Sequence, residues 1–197
     1  MNSSPDFDIP LPSLPSEVVI NAQKYFLDNR LTGQNVLDLG CATGRNTRYL
    51  ASLGHKIVGV TLQLEEAAQA ARYDLSEQST YIVGDIRTPM FRTVFDAVLL
   101  NEVLHMMPKT DAKKAVTNAR LLTRPNGINV VSGYLVSDGV KSPKHKDQCF
   151  QPNELFASYM NIGWEILQYG EVVMPVTNFA GKELISSQAA IIARKPK

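Results

Sequence analysis

From Asn35 onward the chain alternates between compact apolar runs and amphipathic stretches. The short runs predict strands at Asn35–Leu39, Lys56–Val60, Thr80–Val83, Phe95–Leu100 and Ile128–Tyr134. The intervening stretches predict helices over Arg45–Leu53, Leu64–Tyr73 and Asp111–Leu122. Strands that read as near-continuous apolar runs, with helices between them, belong to a parallel sheet covered on both faces, which is a doubly wound α/β arrangement. Upstream, Val19, Ile20, Gln23, Phe26 and Leu27 fall at helical spacing behind Ser16 as a candidate cap, and Thr32-Gly33 stops the pattern. The last third differs. After a lysine-rich loop, Lys141–Asp147, a helix at Asn153–Met160 leads into two further runs, Trp164–Val173 and Leu184–Ala193. The connection between those runs contains Pro175 and Gly181, and an antiparallel hairpin at the sheet edge is predicted.

A length of 197 residues suits one substantial core, predicting a single domain over residues 16–197. Residues 1–15 carry Pro5, Pro10, Pro12 and Pro15 and read as an extended proline-rich arm. Lys and Arg total 20 against 19 Asp and Glu, a net charge of +1, so the long-range positive field of a nucleic-acid binder is missing. No apolar run approaches the roughly 20 residues of a membrane-spanning helix. Met1 to Pro15 lacks the basic and apolar regions of a signal peptide, and a cytoplasmic protein is expected. Cys41 and Cys149 form no CxxC or Cys/His pattern, so free thiols and no metal site are expected.

Candidate chemistry concentrates in Val36-Leu37-Asp38-Leu39-Gly40-Cys41-Ala42-Thr43-Gly44, a buried strand entering a glycine turn that opens a helix. Glycines admit a ligand to the backbone and the helix start offers free amides, so a nucleotide-like ligand is expected there. The turn reads G-x-x-x-G, not the GxGxxG of a dinucleotide site. Asp38 would repel a pyrophosphate but suits an ammonium and a nearby sulfonium.

This stretch resembles motif I of the class I S-adenosylmethionine-dependent methyltransferases, a Rossmann-like family with a mostly parallel seven-stranded sheet. The resemblance continues in order. Gly84-Asp85-Ile86 follows the third strand, where the family's acid binds the adenine amino group. Phe95 to His105 resembles the fourth strand and its turn, and Leu121 to Gly127 resembles the turn before the fifth. Gly44-Arg45-Asn46, Cys149-Phe150, Glu154-Leu155, Tyr159, Trp164 and Tyr169-Gly170-Glu171 are similar to the tellurite-resistance (TehB-like) branch, which methylates small, soft acceptors. The resemblance implies a cofactor site at Asp38, Gly40, Cys41 through its backbone amide, Ala42, Gly44, Arg45, Asn46, Gly84, Asp85, Ile86 and Asn101. The family ends its second strand with an acid for the ribose hydroxyls, but this chain reads Thr61-Leu62-Gln63. The Thr61-Leu62 turn is similar to that of cyclopropane fatty-acid synthases, which makes Gln63 or Glu66, about one helical turn on, the candidate substitute. Lys182 is the one basic residue found in the closing hairpin to meet an oxyanion.

His105, one turn past the fourth strand, stands where the family faces the transferred methyl. It reads as a base or acceptor-orienting residue, or as a histidine packed beside Met106 and Met107. Tyr25, Tyr134 and Phe150 are candidates for the acceptor pocket or the core. The fourth strand does not end in an Asn-Pro-Pro-Tyr motif, neither cysteine follows a proline, and no carboxylate cluster suits magnesium. A small-molecule acceptor therefore leads. The competing readings are a catalytically silent S-adenosylmethionine-binding protein and a cyclopropane-type lipid enzyme.

Overall fold

The computed structural model describes residues 14–26, 33–136, 150–177 and 183–197, with side chains over 174–186 excepted. Seven strands form one sheet: β1 (Asn35–Leu39), β2 (Lys56–Thr61), β3 (Ser79–Val83), β4 (Phe95–Leu100), β5 (Thr123–Tyr134), β6 (Glu165–Thr177) and β7 (Glu183–Arg194). Their order is β3-β2-β1-β4-β5-β7-β6. The first five pair in parallel, and β7 runs antiparallel to both β5 and β6. This is the predicted α/β doubly wound sheet with an antiparallel C-terminal hairpin. Chain order reverses direction between β1 and β4, and that crevice is the topological switch point of the fold.

Among the described residues there are five helices, α1 (Glu17–Phe26), α2 (Arg45–Ser52), α3 (Leu64–Tyr73), α4 (Lys109–Leu122) and α5 (Glu154–Met160), with a short 3₁₀ turn at Leu104–Met106. Alternation along the strands divides the core in two. Ala97 and Leu99 of β4 join Val19 and Phe26 of α1 and Leu50 of α2, whereas Val98 and Leu100 join Ala115 and Ala119 of α4 and Tyr159 of α5. Both sheet faces are therefore covered, which is why the central strands are apolar throughout.

Several boundaries move. Ser16 does not cap α1 with its hydroxyl: its carbonyl accepts the Val19 and Ile20 amides, while Oγ donates to Asn101 Oδ1 over 3.0 Å. The predicted turn at Leu121–Gly127 is drawn into β5 from Thr123 on, because Asn126 and Gly127 exchange backbone hydrogen bonds with Lys195. Pro175, expected in the hairpin connection, pairs with Ile185 inside β6. An edge strand has one unpaired side, where the missing proline N–H costs nothing. Most of the proline-rich arm, Thr32, the Lys141–Asp147 loop, Cys149, Gly181 and Lys182 lie outside the described residues. Among the described residues no helix is long and apolar enough to cross a membrane.

Candidate active site

β1 delivers Asp38 to the switch point and then turns at Gly40, Ala42 and Gly44, whose φ angles are 84°, 46° and 80°. Gly40 N and Cys41 N both donate to the Val60 carbonyl, over 2.8 and 2.9 Å, so the turn is anchored to the end of β2. The Cys41 amide, which the resemblance implies meets a ligand, is hydrogen-bonded within the protein. The Cys41 thiol is buried among neighbours, donates to the Ala42 carbonyl and is pushed far up in pKa by that burial. It packs as a small hydrophobe. Gly44 is constrained twice: its φ lies in the left-handed region, and a Cβ there would stand 2.7 Å from the Tyr81 hydroxyl.

Asp38 is 2% exposed and accepts a 2.7 Å hydrogen bond from Thr47 Oγ1. Burial raises its carboxyl from 3.8 to about 6, with Thr47 and the Arg45 charge opposing the rise. A carboxylate so poorly solvated favours a cation brought close to it.

A cavity of about 410 Å3 opens over the C-terminal ends of the central strands. Among the residues predicted for the cofactor, Gly40, Ala42, Thr61, Leu62, Gln63, Glu66, Gly84, Asp85 and Ile86 line it. A larger cleft of about 510 Å3 lies at the opposite edge, by Asn35, Lys56 and Phe95 where β1, β2 and β4 begin. Doubly wound sheets bind ligands beyond their strands' carboxyl ends, so the smaller cavity is the candidate site.

Charged side chains are paired around this cavity. Glu66, on the first turns of α3, accepts a hydrogen bond from Thr61 Oγ1 at the end of β2. Asp85 is chelated by Arg87 through Nε and Nη2, which holds its carboxyl near 2, and Arg87 also reaches Asp111 over 3.1 Å. Arg45 pairs with Glu102. Among the described residues no group of acids, histidines and cysteines is arranged to hold a metal.

Other predicted residues stand behind the lining. Asn46 accepts the Ser16 amide at 2.9 Å, and Asn101 Oδ1 accepts the Ser16 and Ser132 hydroxyls at 3.0 and 2.9 Å. These two asparagines thereby tie the start of α1 to the ends of β4 and β5, while Asn101 Nδ2 is buried without a partner. His105 sits in the 3₁₀ turn with its ring 4.3 Å from that of Tyr134 in an edge-to-face contact. Its Nδ1 is buried without a partner, and burial lowers the imidazole to about 4. Phe150 is core, packed on Gly133, and the Tyr25 hydroxyl donates to the Leu167 carbonyl. Neither lines the cavity.

Arg87, Glu102, Val103, Met106 and Met107 line it but escaped the sequence reading. Glu102 was reachable by the positional argument that selected Asn101, since it also follows β4. Val103, Met106 and Met107 carry no local signal, because only the chain's path past β4 turns them inward, whereas Arg87 comes from the loop after β3.

Residues 37–131 match the family model described as a methyltransferase domain. That stretch, a little under half of the chain, holds the motifs that resemble those of the class I S-adenosylmethionine-dependent methyltransferases. It is similar to the probable S-adenosyl-L-methionine-dependent methyltransferase TehB of Haemophilus influenzae, at 26% identity over 166 residues, covering 81% of this chain and 57% of TehB. The chain thus spans little more than half the length of that relative. An uncharacterized methyltransferase of Schizosaccharomyces pombe is 36% identical over 81 residues, which are 40% of this chain and 56% of the other. The crystal structure of Haemophilus influenzae TehB shares the fold with a TM-score of 0.79 at 24% identity, over 92% of this chain and 62% of TehB. Magnesium protoporphyrin IX methyltransferase from Synechocystis with bound SAH also shares it, with a TM-score of 0.69 at 17% identity, over 90% of this chain and 81% of the other.

Proposed function

We propose that the protein transfers a methyl group from S-adenosylmethionine to a small-molecule acceptor, through a soft sulfur, selenium or tellurium nucleophile or a nitrogen or oxygen one. The observation that carries this reading is Glu66. The domain's usual ribose-binding acid is missing from the end of β2, yet the Thr61 hydroxyl that stands there holds the Glu66 carboxylate over the same strand end, in the cavity. A carboxylate accepts two hydroxyl hydrogen bonds well, so Thr61 and Glu66 together do the work of one acid.

The remaining lining suits the rest of the cofactor. Leu62 and Ile86 offer apolar surface in the same cavity as Asp85, whose oxygens accept from an adenine amino group. The turn lines the cavity with Gly40 and Ala42, and Asp38 lies buried in the strand before it as a desolvated anion for the ammonium. When bound, the cofactor supplies an electrophilic methyl on a sulfonium. The protein's task is then alignment of the acceptor in line with the methyl, which supplies roughly 7 to 11 kcal/mol of such a barrier.

On the acceptor side we assign His105, which stands in the turn between the cavity-lining Val103 and Met106 and whose burial keeps the imidazole neutral at pH 7. Soft acceptors need little of this help, while amines and hydroxyls need the proton removed. Val103, Met106 and Met107 give that end of the cavity an apolar, polarisable wall. Calorimetric titration with S-adenosylmethionine, S-adenosylhomocysteine and NAD tests the reading. Micromolar binding of the first two alone supports it, and binding of NAD alone or of nothing overturns it.

A further inference from the structure

Glu102 is unassigned by any motif, and it is unusual in its backbone. Its φ of 54° lies in the left-handed region, which a branched or long side chain adopts at a cost. The neighbourhood holds it there. Glu102 N donates to Ser132 Oγ over 3.0 Å, and that same hydroxyl donates to Asn101 Oδ1, which also receives Ser16. The result is a carboxylate that lines the cavity and pairs with Arg45, the first residue of α2.

The two arginines at this end of the molecule differ in how far they are satisfied. Arg87 is committed: three of its hydrogen bonds go to the Asp85 carboxylate and another to Asp111. Arg45 forms one, from Nη2 to Glu102, and its other guanidinium nitrogens have no partner among the described residues. The Arg45 and Glu102 side chains are 29% and 36% exposed, so neither is locked by burial. Arg45 also acts on Asp38 from the helix start, lowering its pKa. A guanidinium with a vacant fork, beside a buried carboxylate on one side and an exposed one on the other, is positioned to receive the carboxylate of a zwitterionic amino acid whose ammonium goes to Asp38.

Building on the cofactor reading above, we propose that Glu102 is a resident competitor for Arg45: the α-carboxylate of the ligand displaces it, so the Arg45–Glu102 pair sets cofactor affinity and answers to the amino-acid end of the ligand alone. The strained loop keeps Glu102 within reach of Arg45 in the free protein. Displacement leaves the Glu102 carboxylate in the cavity beside Val103.

The test is calorimetric binding of S-adenosylhomocysteine to wild type, Glu102→Gln, Arg45→Gln and the double variant. 5′-Methylthioadenosine, which lacks the amino-acid end, is titrated in parallel. Glu102→Gln frees Arg45 and is expected to tighten S-adenosylhomocysteine binding about two- to fivefold, the worth of a partly exposed ion pair. Arg45→Gln is expected to weaken it about tenfold or more, through loss of a charge-assisted contact. In the double variant the tightening by Glu102→Gln disappears, and none of the substitutions alters methylthioadenosine binding. Unchanged or weaker S-adenosylhomocysteine binding in Glu102→Gln, or the same tightening without Arg45, overturns the competition. If wild type binds neither nucleoside, the cofactor reading fails instead, which the methylthioadenosine arm distinguishes. Circular dichroism of each variant checks that the fold is retained.

Discussion

The buried Asp38 carboxylate costs the fold stability at pH 7, and the amount follows from its burial. In the unfolded chain its carboxyl titrates near 3.8, and in the fold near 6. Because the folded value is the higher one, the ionised form opposes folding at pH 7, at a cost of about 3 kcal/mol. The opposition fades as pH falls from 6 to 4, where the folded state takes up the proton before the unfolded state does. Asp38→Asn removes the charge and keeps an oxygen to accept the Thr47 hydroxyl. The variant is therefore expected to be more stable than wild type at pH 7.5, by up to about 3 kcal/mol, with the gain vanishing near pH 4. It is also expected to bind S-adenosylhomocysteine about tenfold or more weakly, since the ammonium loses its charged partner. Urea denaturation at the two pH values and calorimetry at pH 7.5 measure both effects. A variant less stable than wild type at pH 7.5, or one that is more stable yet binds undiminished, refutes the argument that this desolvated carboxylate is kept for a cation.

Three further substitutions probe other parts of the site. Glu66→Gln preserves an acceptor for Thr61 Oγ1 and should leave the melting temperature unchanged while weakening S-adenosylhomocysteine binding by roughly tenfold or more; normal affinity would remove Glu66 from the ribose site. His105→Ala should leave cofactor affinity nearly unchanged while turnover on an amine or hydroxyl acceptor falls by about 10² or more, and a collapse of affinity instead would make its role structural. The lowered imidazole, near 4, further predicts that His105 adds no inflection to the turnover profile near pH 6.5. Gly44→Ala meets both a left-handed φ of 80° and the Tyr81 hydroxyl. It should cost about 2 kcal/mol or more and lower the melting temperature by roughly 4 °C or more, and an unshifted melting curve would show that the turn relaxes freely.

Much of this molecule was legible in one dimension. Apolar runs and amphipathic stretches located the sheet and its helices because period and polarity report directly on which faces are buried. Gly40 and Gly44 announced a turn, since their left-handed φ angles are a local requirement. Even the meeting of Thr61 with Glu66 was within reach, because they lie about one helical turn apart and local geometry decides whether they meet. The sequence could not say what each polar group does once buried. Asn101, Asn46 and Ser16 come from segments far apart in the chain, and only their convergence shows that they tie elements together behind the lining. The Cys41 amide was free for a ligand in the sequence and was taken by Val60 once β2 lay alongside. Glu102, Val103, Met106 and Met107 enter the cavity because the chain leaves β4 in a particular direction, and the commitment of Arg87 to two acids, against the vacancy of Arg45, depends on pairings across 24 and 57 positions. Local rules thus chose the elements and the turn, whereas burial and long-range pairing, which exist only in three dimensions, decided the charges.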